Sequence, residues 1–386
     1  MRKKPIGSHS LVTFAVLVAS LVMVVWPGAL GGMPKRADSN AIQGKVLRVV
    51  EETVAPEGEI EYLGSSKVQR LSVGLIENGK RRVVSVRNEF SPVAKGDTLY
   101  LEPILDGGQD ETFSVVGVSK SRGLALLALL FASMVVLVSG WKGIRALVGL
   151  LFSLGIIFSL VIPAILQGHN AIGVSLIGSI VILVVSFYVS YGFNRKMLAA
   201  IIGISLSLLV VGILAQLSVH SLGFSGFSSD ESAFLKQDLG SGIDLVSLLI
   251  AGIMIAAIGV LDDVAITQAS TVFALKSANP KLGGVELYRK AMGVGGDHIS
   301  AVINTLVLAY AGAAMPLMLL LSMNGGVQMG YAVSIEAVAE EVVRTLVSSI
   351  GIVLGVPLTT AVAVLMAREG EGDCGPMGCQ GHSHSY

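Results

Sequence analysis

The chain has 386 residues, of which 53% are hydrophobic and only 14% charged, and its mean hydropathy is +0.75. Soluble domains carry about 25% charged residues, so this composition excludes an ordinary soluble globule and calls for a lipid bilayer. Its 27 basic and 27 acidic residues cancel, which removes the basic excess expected of a nucleic-acid binder.

The N-terminus reads "MRKK" and runs into an apolar stretch from Leu11 to about Gly32. Roughly 20 apolar residues are enough to span, and "WPGALGGMPKR" offers no clean small-x-small cleavage site. An uncleaved membrane anchor over residues 1–34 is expected, with a signal peptide as the alternative.

Residues 35–120 change character. Period-2 alternation appears in "GKVLRVV", "QRLSVGLI", "RRVVSV", "DTLYLEPI" and "TFSVVGV", as half-buried strands require. In "LIENGKRRVV" the pair Asn78-Gly79 suits the positive-φ positions of a type I′ hairpin, and "VAKGDTLYLEP" reads as a turn entering a strand. Five or six short strands predict a small all-β domain, a barrel or sandwich of OB-like kind.

From Gly123 the apolar character returns. Spans are expected near 123–141, 144–166, 171–191, 197–219, 245–275, 299–321 and 345–366. The fold class is therefore a polytopic α-helical membrane protein of about eight transmembrane helices, with a seven-helix bundle over 121–367 and a small all-β extracytoplasmic domain. The span at 245–275 is too long for one ordinary crossing, so it must tilt, break or extend beyond the hydrocarbon. Arg2, Lys3, Lys4, Lys142, Arg145, Arg195, Lys196, Lys276, Lys281, Arg289, Lys290 and Arg368 fall on alternate connections. Their distribution places both termini in the cytoplasm and the β-domain outside a prokaryotic plasma membrane.

Within the long span stand two adjacent acids, in "IGVLDDVAITQAS" (258–270). A carboxylate at a helix centre costs roughly 2.5–3.5 kcal/mol on insertion scales, so two of them need a reason. Successive helical residues point about 100° apart. Asp263 lines up with Gly259, Thr267, Ser270 and Thr271, a polar stripe suited to a bundle interior or a file of water. Asp262 lines up with Ile258, Ala265, Ile266 and Ala269. Adjacent carboxylates in a low dielectric titrate as a coupled pair and can carry a proton or bind a cation. The alternative is that the acids end a span at the cytoplasmic surface.

A second cluster lies in "GVELYRKAMGVGGDHISAVINTLVLAYAGAAMP" (284–316). A break is expected at Gly293, Gly295 and Gly296, with Asp297 at the mouth of the next span and Asn304 and Thr305 further in as pathway-lining residues. Glu340 and Arg344 have the spacing of an i,i+4 pair, an interfacial anchor, and Arg344 is a counter-ion if the outer half of the bundle holds water. The tail from residue 368 is read as flexible. Both cysteines, Cys374 and Cys379, lie there, so disulfides do not build the fold. With His382 and His384 they form a weak candidate metal set, since C-x4-C with H-x-H is not a closed zinc spacing. There is no Walker A, HExxH or GxSxG sequence; no enzyme activity and no cofactor are expected.

The stretches "AAIGVLDDVAITQAS" (256–270), "GGDHISAVINTLVLAYAGAAMPLML" (295–319) and "AEEVVRTLVSSIGIVLGVPLTTAVA" (339–363) resemble the YibE/F-like family of prokaryotic multi-span proteins, as does the order of anchor, exterior β-domain and bundle. The family pattern has a single acid at the position of Asp263 and an apolar residue at that of Asp262, which implies that Asp263 matters more. A more distant likeness is to RND-type permeases, which use intramembrane aspartates for proton coupling; it rests on the small-residue run, the acids and the basic connector "GGVELYRKAM". Together these readings suggest a proton- or cation-coupled transporter or translocation component acting on a small molecule, ion or envelope substrate, either as an oligomer or with a partner membrane protein. The alternatives are a non-transporting scaffold or envelope sensor with the β-domain as receptor, and metal handling through the tail.

Overall fold

The computed structural model describes residues 42–54, 67–77, 80–89, 92–104, 112–228, 230–239, 243–323 and 334–367. The expected anchor, the Cys/His tail and the Asn78-Gly79 turn itself lie outside these residues. The chain divides into two compact units with the boundary after Gly140.

In the first unit, β1 (Ile42–Val54), β2 (Lys67–Glu77), β3 (Lys80–Asn88), β4 (Thr98–Ile104) and β5 (Thr112–Val118) pair antiparallel in the order β3-β2-β1-β4-β5. Alternation sends Val46, Leu71, Val73, Leu75, Val86, Leu99, Leu101 and Val115 to one buried face. Glu77 pairs with Lys80, the two-residue connection expected of the Asn-Gly hairpin. The long β1 serves both β2 and β4 and shifts register between Val46 and Arg48 and between Val49 and Glu51; such bulges bend a strand and increase its twist. The edges β3 and β5 come into contact, so the sheet curls on itself. Gln69, 3% exposed, accepts from Val93 N at 2.8 Å and donates to Val93 O at 3.3 Å, which pins the β3–β4 connection across the sheet.

Helix α1 (Ser121–Leu166) starts in this unit and continues into the second. The two spans expected at 123–141 and 144–166 share this helix, interrupted only at Gly140, whose φ of 55° and ψ of −134° are not helical. Before Gly140 it is exposed almost all round, as an apolar segment in lipid would be. A π turn at Ile157–Val161 precedes Pro163; proline cannot donate to residue i−4 and its ring crowds that carbonyl, so the turn widens.

The second unit also contains α2 (Ala171–Tyr191), α3 (Arg195–Leu222), the short α4 (Asp230–Leu239), α5 (Leu245–Ala278), α6 (Gly284–Ala313), α7 (Met315–Met323) and α8 (Glu336–Met366). Among the described residues six helices, α1, α2, α3, α5, α6 and α8, are long and apolar enough to cross a membrane. Of the eight expected spans, one lies outside the described residues and two share α1.

Helices α3, α5 and α8 form the centre, with α2 against α5 and α3, and α6 against α8 and α5. Glycines set their spacing. A Cβ on Gly203 of α3 would lie 2.7 Å from Thr359 Cα of α8; one on Gly355 of α8 would lie 3.0 Å from Leu261 of α5, and one on Gly351 would strike Val211 of α3. In lipid there is no hydrophobic force between helices, so close van der Waals contact through small residues holds them together.

Helix α5 runs unbroken for 34 residues past both aspartates, so of the three expected possibilities it is not the break that occurs. The structure does depart from expectation in α6, which runs unbroken for 30 residues through Gly293, Gly295 and Gly296. Gly295 is not a break but a packing position, where a Cβ would meet Val356 and, at 3.0 Å, Gln268. Asp297 accordingly sits inside a helix rather than capping one.

If these glycines set the spacing, Gly203→Val should lower the thermal unfolding midpoint of the purified protein by an amount corresponding to about 1–3 kcal/mol, the usual cost of overpacking. Gly259→Val, whose Cβ meets nothing within 4 Å, should leave the midpoint near wild type.

Candidate functional site

Helix α5 begins at a cap: Asp244 accepts from Val246 N at 3.1 Å. At 1.5 Å per residue, Asp262 and Asp263 lie about 27 Å along it. The face toward the other helices carries Ile250, Ile253, Met254, Ala257, Leu261, Val264, Ala265, Gln268 and Val272, all buried. The opposite face carries Gly252, Ala256, Gly259, Asp263, Thr267 and Ala274, half-buried or exposed. Asp263 and Thr267 are exposed and Ser270 half-buried, so the stripe expected to look into the bundle looks away from its packed centre. Asp262 is the half-buried acid of the two. Tyr191, at the end of α2, is within electrostatic reach of both. A helical wheel fixes the angle between two residues but not which of them meets a neighbour, and here the neighbour, α2, lies on the side of Asp262.

On α6, Asp297, Asn304 and Thr305 are exposed, and the Thr305 hydroxyl donates back to Ala301 O at 3.0 Å. His298 is half-buried, with a buried Nε2 that has no hydrogen-bond partner. The polar group that does reach the helix interfaces is Gln268, 3% exposed, which donates to Ala291 O of α6 at 2.9 Å and to Thr360 Oγ1 of α8 at 2.7 Å. It ties three helices together and satisfies an amide that would otherwise be costly in hydrocarbon.

Arg344 is elsewhere. It lines a cavity of about 380 Å³ between α4, α5 and α8, together with Glu231, Glu340 and Glu341; neither Asp263 nor Asn304 lines it. Its Nε lies 3.3 Å from Glu341 Oε2, so its ion pair is with the residue three back and not with Glu340 as the i,i+4 spacing suggested. Glu340 is 6% exposed. It accepts from Ser228 Oγ through Oε2, while its buried Oε1 has no donor. One turn earlier, Glu336 accepts from Ser225 N at 2.6 Å, Ser225 Oγ at 2.8 Å and Gly226 N at 3.0 Å. Gly226 makes this cradle: its φ is 75°, and a Cβ there would lie 2.8 Å from the Leu245 carbonyl. Sequence reading named Glu340 only as half of a pair with Arg344 and did not single out Glu336 or Ser228. The available signal was Glu336 and Glu340 on one helical face and the serine-rich "GFSGFSSDE" that shares their side of the bundle. Among the described residues no group of three or more His, Cys, Asp or Glu is placed to hold a metal ion.

Two groups of neighbouring acids thus stand out on a glycine-packed bundle, one mid-way along α5 and one at the start of α8. A family model of YibE/F-like proteins matches residues 127–369. The chain belongs to the YibE/F-like family. No curated protein and no solved structure matches it. The YibE/F-like region includes every candidate from Asp262 to Arg344 and the Glu336–Glu340 cradle, whereas the β-sheet precedes it. It establishes a multi-pass membrane protein of this family.

Glu336→Ala removes the acceptor of three donors. Amide exchange at Ser225 and Gly226 should then rise by about tenfold or more, the equivalent of one hydrogen bond to a charged group, with exchange in α3 and α5 unchanged.

Proposed function

We propose that this YibE/F-like protein is a proton- or cation-coupled transporter, or a component of a translocation machine, in a prokaryotic plasma membrane, with both termini cytoplasmic and the β-domain outside. The observation that carries the reading is the adjacent pair Asp262 and Asp263, placed 17 and 18 residues beyond the start of an uninterrupted membrane helix that packs on α2, α3, α6 and α8. Carboxylates at that depth are expensive unless they serve a proton or ion pathway. The half-buried Asp262 and the exposed Asp263 together present two adjacent carboxylates at the edge of the bundle. The small and polar face from Gly252 to Thr267 gives water or an ion room beside them. The distant likeness to RND-type permeases, with their intramembrane aspartates, points the same way. Thr267 and Ser270 extend the polar face of α5, and Asp297, Asn304 and Thr305 line a pathway on α6.

The test is exchange of the acids. In a deletion strain, Asp262→Asn and Asp263→Asn should each abolish complementation while the proteins accumulate and melt normally. In proteoliposomes with an imposed pH gradient, wild type should speed its dissipation and both variants should not. Wild-type behaviour of both variants in both assays would remove the coupling role.

Water access to the α5 face is a separate expectation. With Cys374 and Cys379 replaced by serine, Thr267→Cys should react with a water-soluble maleimide, while Ala265→Cys, buried on the opposite side, should not. Protection of Thr267→Cys would mean that lipid or protein covers this face.

A second reading has one observation in its favour. On the β-sheet, Leu47 (42% exposed) lies against Gly74, and Val83 (61% exposed) pairs with that glycine, an apolar patch on the outer face suited to a receptor. An envelope sensor using it would lose function on deletion of the sheet and keep it when the α5 acids are neutralised.

A further inference from the structure

The cavity between α4, α5 and α8 has chemistry that the α5 acids do not explain. Neither Asp262 nor Asp263 lines it. At about 380 Å³ it is more than ten times the roughly 30 Å³ a water molecule occupies in the liquid, and within the range of small-ligand sites. One side is apolar, formed by Leu248 and Leu249 of α5; the other carries Glu231, Glu340, Glu341 and Arg344. Three carboxylates face one guanidinium, which lies within ion-pair distance of Glu341 although its buried Nε makes no hydrogen bond. Lys236, on the same short helix as Glu231, turns to Ile243 O at 3.3 Å and does not line the cavity.

Glu340 is the unresolved charge. More than nine-tenths of it is buried, one oxygen is held by Ser228, and the other has no donor. The nearby backbone donors go to Glu336 instead, whose carboxylate is its neighbour one turn away. A buried acceptor left unpaired costs roughly 1–3 kcal/mol, more for a charged group. The missing partner is a hydrogen-bond donor, and the excess of carboxylates over the single guanidinium in the wall favours a positive one. A bare metal ion does not fit, because no group of three or more metal-binding side chains is assembled among the described residues. An anion does not fit a wall with two carboxylates in excess. The leucines on the facing side call for apolar surface on the ligand.

We propose that this cavity binds a small organic cation, an amine with an apolar body, whose ammonium group donates to Glu340 while Leu248 and Leu249 cover its apolar part. The site is a binding equilibrium distinct from coupling by Asp262 and Asp263, so either can fail without the other.

The experiment uses the full-length protein in nanodiscs of zwitterionic lipid, titrated calorimetrically with phenethylamine at neutral pH, with empty nanodiscs as blank. Phenethylamine should bind saturably and at least about tenfold more tightly than 2-phenylethanol, the difference expected for one charge-assisted hydrogen bond. Glu340→Gln should weaken it about tenfold. Leu248→Trp, which fills the cavity from the side away from the carboxylates, should abolish it, and this variant decides the matter if Glu340→Gln does not fold. Asp263→Asn should bind as wild type does. No saturable binding above the blank, equal affinity in Glu340→Gln or Leu248→Trp, tighter binding of phenylacetate than of the amine, or competition by millimolar Na⁺ or Ca²⁺ would each overturn the proposal.

Discussion

Close helix contact at Gly203, Gly351, Gly355 and Gly295 is the constraint from which the rest of the membrane unit follows. Lipid gives no gain for hiding leucine from leucine, so helices associate only where their surfaces fit closely enough for dispersion to exceed what lipid tails offer. The absence of a Cβ lets Thr359, Val211, Leu261 and Val356 settle onto a facing helix. That contact brings α3, α5 and α8 together, and everything polar is arranged around it. Gln268 reaches α6 and α8 only because those helices are already close. Glu336 and Glu340 meet the loop after α3 because α8 is pinned beside it.

The two acidic places differ in how their charges are held. At the start of α8, Glu336 has a cradle of backbone and hydroxyl donors and Glu341 has Arg344. Glu340 is held at one oxygen only. On α5, Asp262 is half-buried and Asp263 exposed, side by side at the edge of the bundle. The first arrangement is built like a binding site, with fixed donors and a shaped cavity. The second is a pair of adjacent carboxylates, one half-buried and one exposed, beside a face of small residues.

Much of this was legible in the sequence, and the exceptions have physical causes. Alternation and Asn78-Gly79 located all five strands and the hairpin, because a half-buried sheet has a local signature. Apolar length located α2, α3, α5 and α8, but divided α1 in two and missed that α6 begins at Gly284. What failed were inferences that depend on a partner distant in the chain. Gly295 in isolation reads as a helix breaker; only the proximity of Val356 and Gln268 makes it a packing position. Asp263 and Asp262 are separable by helical angle, but that α2 lies on the side of Asp262 is not contained in residues 258–270. Glu340 reads as half of an i,i+4 pair until Ser228, 112 residues earlier, turns out to be its donor.

The cradle at Glu336 also bears on the order in which the molecule can be assembled. Its acceptor and its donors are separated by 111 residues, and α8 comes later in the chain than every other helix it packs against. During synthesis α3 and α5 must wait with Gly203 and Leu261 uncovered until α8 arrives, and the loop after α3 has no carboxylate to close on. Until then the earlier helices are a half-built bundle whose small-residue faces are open to any passing transmembrane segment. Helix α8 works as a keystone, and its late arrival makes folding of the membrane unit depend on completing the chain through Met366.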